Sequence, residues 1–315
     1  MQEPVDQGPS RRETLRAHQA GDWRPRNVAT RYDLHQTPHE AVTWPRDVAV
    51  ARQYFAILYP QLPFEIAKLS SSGPEAVQNF ASTWGLLGYE RLFFQDQAES
   101  FTHPRRPGEE DYRNGVEQMI KTARGGIAAE RFGYEPLAWV QAHAYGIAWI
   151  IAVYKDLEEA NAEAVTHAVM RLPRVSTTSS NRKLECALAW DGPIPYEIAV
   201  PIKLTNVAQT IRIIINHNLR GVARMVSNVR TPENRGMPLF SFSALVQYAY
   251  WHLANLFDHC INIAQCQSCG YWFAQTDQRQ RFCPPPPSQR KSRCGTRARM
   301  ARLRARPDQV PEATT

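Results

Sequence analysis

Apolar positions along the middle of the chain recur at helical spacing. Val77, Phe80, Ala81 and Trp84 share one face of a segment that Pro74 and Glu75 open and Gly85 is placed to end. Leu137, Val140, Ala144, Ile147, Ile151 and Tyr154 predict a long helix over about 136–161, whose acidic end at 156–163 reads as solvated surface. Val207, Ile211, Ile214, Ile215, Leu219, Val222 and Val226 predict another, although β-branched residues are poor helix formers. The strongest pattern runs over 241–264, where Phe242, Leu245, Val246, Ala249, Leu253, Leu256, Phe257 and Cys260 form one face leading up to Cys266.

The period changes once. Leu184, Cys186, Leu188 and Trp190 alternate at spacing two, a turn follows at Asp191-Gly192-Pro193, and Ile198, Val200 and Ile202 alternate again. That is a hairpin pattern, with Pro201 confining the second strand to an edge and Cys186 on the apolar face as a core cysteine. Residues 95–115, 171–183 and 228–238 read as loops, and 1–40 as a polar lead-in arm without sustained periodicity. His35 and His39 stand four apart, but Pro38 between them argues against a helical metal pair.

These elements predict a mainly α fold with minor β. A helical body over 41–265 carries the hairpin near 184–202, and a small C-terminal unit, 266–306, precedes a tail at 307–315. The first twenty residues are polar and lack the core of a signal peptide. The most apolar run, 146–154, is well short of the roughly 20 residues a bilayer span needs. The expectation is a cytoplasmic chain with no membrane partner.

Charge alters this picture because of where it sits. The chain carries 37 Lys and Arg against 30 Asp and Glu, a net charge of +7. From Cys266 onward there are ten basic and three acidic residues, so the remainder is balanced at 27 of each sign. The same segment holds four of the six cysteines. A neutral body therefore precedes a basic unit rich in cysteine.

In that unit Cys266-Gln-Ser-Cys269 is followed by Gly270-Tyr271-Trp272-Phe273, then by Arg281-Phe282-Cys283, four prolines, and Cys294-Gly295-Thr296-Arg297. A Cys-x-x-Cys turn aims two thiolates at one ion. Pairing of 271–274 with 280–282 would return Cys283 to that turn, and Cys294, heading a final helix, would complete a tetrahedral set. Cys266, Cys269, Cys283 and Cys294 are the candidate ligands of one structural Zn²⁺, which would supply most of the folding free energy of so small a module. A redox Cys-x-x-Cys pair would call for a βαβ surround, and none is present. His259 is the reserve ligand should Cys294 not serve, and otherwise reads as a histidine on the helix surface.

Segment 266–306 resembles the CGNR-type zinc finger, a treble-clef-like module at the C-terminus of proteins regarded as bacterial transcription regulators. Cys269-Gly270 with Phe273, the basic residues before Cys283, and Cys294-Gly295-Thr296-Arg297 ahead of an Arg-rich helix carry the resemblance. Thr296 replaces the asparagine of the family pattern, and the stretch between Cys283 and Cys294, with Pro284–Pro287, is longer than the family's. The resemblance implies DNA binding and transcription regulation.

Between Arg279 and Arg306 lie ten basic residues and no acidic one. Arg290, Lys291, Arg293, Arg297, Arg299, Arg302, Arg304 and Arg306 are the candidate nucleic-acid contacts, with double-stranded DNA the expected partner. Met300 and Leu303 are expected to form a narrow stripe packed on the zinc core. The alternative is an interaction module, with the finger stapling the C-terminus and the basic helix binding an acidic partner or a second copy in a homodimer. Trp139, Trp149, Tyr250 and Trp251 leave room for a small-molecule effector in the body, though aromatics at helical spacing are usually core. No nucleophile–base pair or paired carboxylates stand at telling spacing, so an enzyme is not expected.

Overall fold

The computed structural model describes residues 26–36, 41–89, 109–122, 129, 133–170, 184–189, 192–198, 203–220, 222–225, 239–259, 261–287 and 289–304. It is mainly α with minor β. Four short strands open the described chain, β1 (Arg26–Ala29), β2 (Tyr32–Gln36), β3 (Ala41–Pro45) and β4 (Val50–Tyr54). β1 pairs antiparallel with β4, and β2 with β3, which also carries β5 (Glu135–Pro136). Residues 26–36 are thus ordered strand, where the polar pattern suggested an arm. His35 stacks on the buried Trp44, with ring centroids 3.6 Å apart, while His39 lies outside the described residues.

The helices form around Leu137–Glu158, a 22-residue helix labelled α4 after α1 (Leu62–Ala67), α2 (Pro74–Trp84) and α3 (Glu109–Thr122). α2 starts at Pro74, whose missing N–H costs nothing in a first turn, and ends at Gly85. Gly85 has φ +82 and donates its N–H to Ala81 O at 2.8 Å. Its expected face of Val77, Phe80, Ala81 and Trp84 is buried. α3 covers part of the stretch read as a loop, because its acidic first residues favour the positive end of a helix.

α4 is apolar nearly all round and buries Trp139, Val140, Ala144, Ile147, Ile150 and Ile151. By length and composition alone it could cross a membrane, further than the 146–154 run suggested. Most of it is buried inside the fold, against α1, α2, α5 (Ala162–Met170) and α6 (Leu204–Asn218), as a core helix should be. Each large side chain so buried contributes about 1.5–3 kcal/mol.

The expected hairpin is present as β6 (Leu184–Ala189) and β7 (Gly192–Ile198), the second strand beginning earlier than the alternation indicated. Side chains there, Cys186 among them, lie outside the described set. β8 (Ala223–Met225) pairs with β9 (Leu239–Ser241), and α7 (Leu245–Asp258) packs on α6 and α1. α7 is shorter than the 241–264 pattern on both sides, since a strand precedes it and another follows. Tyr250 and His252 on α7 are buried, with His252 Nε2 3.1 Å from Ala56 O. His252 is therefore a core histidine, while His259 is exposed at the helix end.

One close approach fixes the chain between α2 and α7. Gly88 has φ +107, and a Cβ on it would lie 2.6 Å from the Cβ of Ala244, which caps α7. Leu87 O accepts from Val246 N at 3.0 Å, and the buried Glu135 carboxyl accepts the Gly88 N–H.

Candidate metal centre

The C-terminal unit is built on a knuckle. β10 (Ile263–Gln265) pairs antiparallel with β11 (Trp272–Ala274), in register Ile263↔Ala274, Ala264↔Phe273 and Gln265↔Trp272. The turn between them holds Cys266 and Cys269. Cys266 N donates to Tyr271 O at 2.9 Å and Gly270 N to Cys266 O at 2.8 Å, with Gly270 at φ +73, a left-handed conformation glycine adopts freely. The strand partner of 272–274 is thus the segment before the knuckle, not 280–282 as expected. The returning chain is held by Gln267 N donating to Arg281 O at 3.0 Å and by Gln275 Nε2 donating to Gln280 O at 3.1 Å.

Cys283 follows at once and is buried, and Phe273, 1% exposed, packs beneath the cysteines. After the prolines, Ser292 caps the last helix, α8 (Arg293–Arg304), accepting from Gly295 N through Oγ at 3.2 Å and from Thr296 N through its carbonyl at 2.9 Å. This places Cys294 in the first turn.

All four expected cysteines converge. Their sulfurs lie within 4.8 Å of one another, and Cys269 Sγ and Cys283 Sγ are 3.5 Å apart. Four sulfurs arranged tetrahedrally at about 2.3 Å from an ion would stand about 3.8 Å apart. The cluster therefore fits a single metal ion bound by sulfur, and the longer loop before Cys294 does not prevent closure.

The thiols are not equivalent. Burial opposes ionisation of Cys266, but the backbone N–H groups of Cys283, Ser268 and Cys269 outweigh it and bring the thiol down to about 6. Burial pushes Cys283 and Cys294 up, Cys294 to about 11, with the neighbouring thiols adding to both shifts. The fold thus prepares one thiolate and leaves a cation to draw protons from its neighbours.

Besides the packing of β11 on α1, Gln61 and Lys68, residues with no local sequence motif, join the body to the unit. Gln61, 4% exposed at the start of α1, donates Nε2 to Pro285 O at 3.0 Å, which gives the proline run a fixed seat. Lys68, just past α1, pairs with Glu65 and lies 5.3 Å from the centre of the Tyr271 ring. Burial works against its charge, yet Glu65 and then Cys283 and Cys269 more than offset that and raise its pKa. A cation is thereby held beside two of the four sulfurs.

Of the predicted nucleic-acid contacts, Arg290, Lys291, Arg293, Arg297, Arg299, Arg302 and Arg304 are exposed, and none pairs with an acidic group among the described residues. Arg306 lies outside the described residues. The Met300–Leu303 stripe does not pack on the cysteine core, since Met300 is 43% and Leu303 60% exposed. Small residues take that position, since Cys294, Gly295 and Ala298 are the half-buried ones. No family model, curated protein or solved structure matches the chain.

Proposed function

We propose that the protein is a DNA-binding protein, acting as a transcription regulator, in which a treble-clef-like zinc finger presents α8 to duplex DNA. The observation carrying this function is an exposed helix whose arginines lack acidic partners among the described residues, fixed at its first turn by Cys294. Surface arginines usually find carboxylates, and a row of them without any is suited to phosphates. Zn²⁺ is favoured over other ions because four thiolates with no open position form a closed, soft tetrahedral set. Cys266, Cys269, Cys283 and Cys294 would hold the ion above Phe273, and α8, carrying one ligand, would be oriented by it.

Binding of a fluorescent duplex to the metal-loaded chain tests this. Four to six phosphate contacts give a slope of roughly −4 to −5 for the logarithm of affinity against that of salt concentration. A chain that binds no duplex at low salt would rule the function out.

The Gln61–Pro285 and Lys68 contacts favour a second reading, in which the finger is a staple closing the C-terminus on the body and the basic helix binds an acidic protein. Removal of 266–315 separates the two. Loss of DNA binding with an intact body supports the first, and loss of the folded body supports the second.

A further inference from the structure

The faces of α8 divide sharply. At about 100° per residue, Cys294, Gly295 and Ala298 form the half-buried side, with Gly295 against Phe282. Directly opposite runs a ridge of Thr296, Met300 and Leu303, spaced i, i+4 and i+7, all exposed. Arg293, Arg297 and Arg304 flank it on one side and Arg299 on the other. The most outward face of a cationic helix is thus its least polar one.

Exposed Met and Leu on a fixed helix need an occupant. A second copy of the chain fits poorly, since a symmetric contact would set two rows of arginines against each other with no acidic residue between 279 and 306 to offset them. A duplex fits. The major groove admits one α-helix, its walls are phosphates, and its floor carries one apolar feature, the thymine 5-methyl group. With the flanking arginines on the walls, the ridge meets the floor.

Building on the DNA-binding function above, we propose that α8 enters the major groove and reads thymine methyl groups through Thr296, Met300 and Leu303. The ridge then prefers A·T-bearing steps, by apolar contact rather than by hydrogen bonds to guanine.

The test compares binding of the full metal-loaded chain to poly(dA-dT) and to poly(dA-dU), duplexes that differ only in that methyl group. Each methyl buried is worth about fourfold in affinity, so the methylated duplex binds at least about fourfold more tightly. In the T296S/M300Q/L303Q triple variant the ratio falls to one, and in the M300Q/L303Q double variant it falls most of the way. All three side chains are exposed, and retained metal content shows that each variant is folded. Equal affinities in the parent chain, or a ratio that survives in the triple variant, overturn the inference while leaving DNA binding standing. Binding to neither duplex at low salt overturns both, and binding to polyglutamate alone would assign the ridge to an acidic protein.

Discussion

At the residue scale the centre depends on proton competition. Burial holds Cys283 and Cys294 above the usual thiol range, so a metal must displace their protons. Metal affinity should rise with pH, by up to about tenfold per unit for each proton displaced, and the ion should leave on acidification as protons compete for the thiolates. Metal content by mass spectrometry across pH checks this, and retention at pH 4 would contradict it. Lys68→Met removes a cation beside Cys269 and Cys283 and should speed metal transfer to a chromogenic chelator several-fold, while Lys68→Arg largely preserves the parent rate. The cysteines were legible because their spacing is local. Gln61 and Lys68 were not, since they lie some two hundred residues before the ligands in sequence and no local pattern marks them.

Glu135 provides a second residue-scale prediction. Burial raises its pKa to about 8, against the opposing N–H groups of Gly88, Tyr89 and Leu87. A raised pKa means the protonated form is favoured in the fold, so its stability contribution is complete below about pH 4.5 and lost as pH rises through about 8. Urea unfolding of Glu135→Gln, whose amide oxygen still accepts the Gly88 N–H, should show the alkaline decline flattened by about 2–4 kcal/mol. An unchanged pH profile would assign the decline elsewhere.

At the element scale the sequence was most informative where one face repeats over several turns. α2 and α4 lie where their apolar stripes placed them, since burial of a continuous face outweighs local propensity. By contrast, α6 ends at Asn218, short of the predicted Leu219 and Val222, and a strand follows at Ala223–Met225. β1 to β4 were missed because each is short and mixes polar with apolar residues, so pairing rather than pattern defines them. The 241–264 pattern kept helical phase past Asp258, yet the chain turns into β10, where Ile263 pairs with Ala274 and Gln265 with Trp272. The register of α8 is opposite to the expected one. Cys294 in the first turn sets which side meets the cysteine cluster, so Gly295 and Ala298 on that side are half-buried and Met300 and Leu303 face outward. At the 85–89 turn the same close approach gives a stability test. Gly88→Ala should destabilise by about 2–4 kcal/mol, since it combines a left-handed φ with overlap against Ala244. A loss under about 0.5 kcal/mol in chemical unfolding would show that the α7 cap moves freely.

At the scale of the whole molecule, the segregated charge and the docking of the C-terminal unit act together. The body is neutral and the C-terminal unit basic, so the field attracting a polyanion comes from one side. That unit is also seated on α1, which packs against both α4 and α7, so α8 is connected through the knuckle to the central helices. Metal removal should therefore free α8 from its anchor and abolish duplex binding, while α4 and its neighbours keep most of the helical circular dichroism.

The most direct test is duplex affinity measured across a salt series with and without a chelator strong enough to strip the cysteines. The metal-loaded chain should bind with a slope of roughly −4 to −5, and the stripped chain should lose that affinity by at least about tenfold. Equal binding in both states, or no binding by the loaded chain at low salt, would contradict a metal-anchored DNA-binding helix.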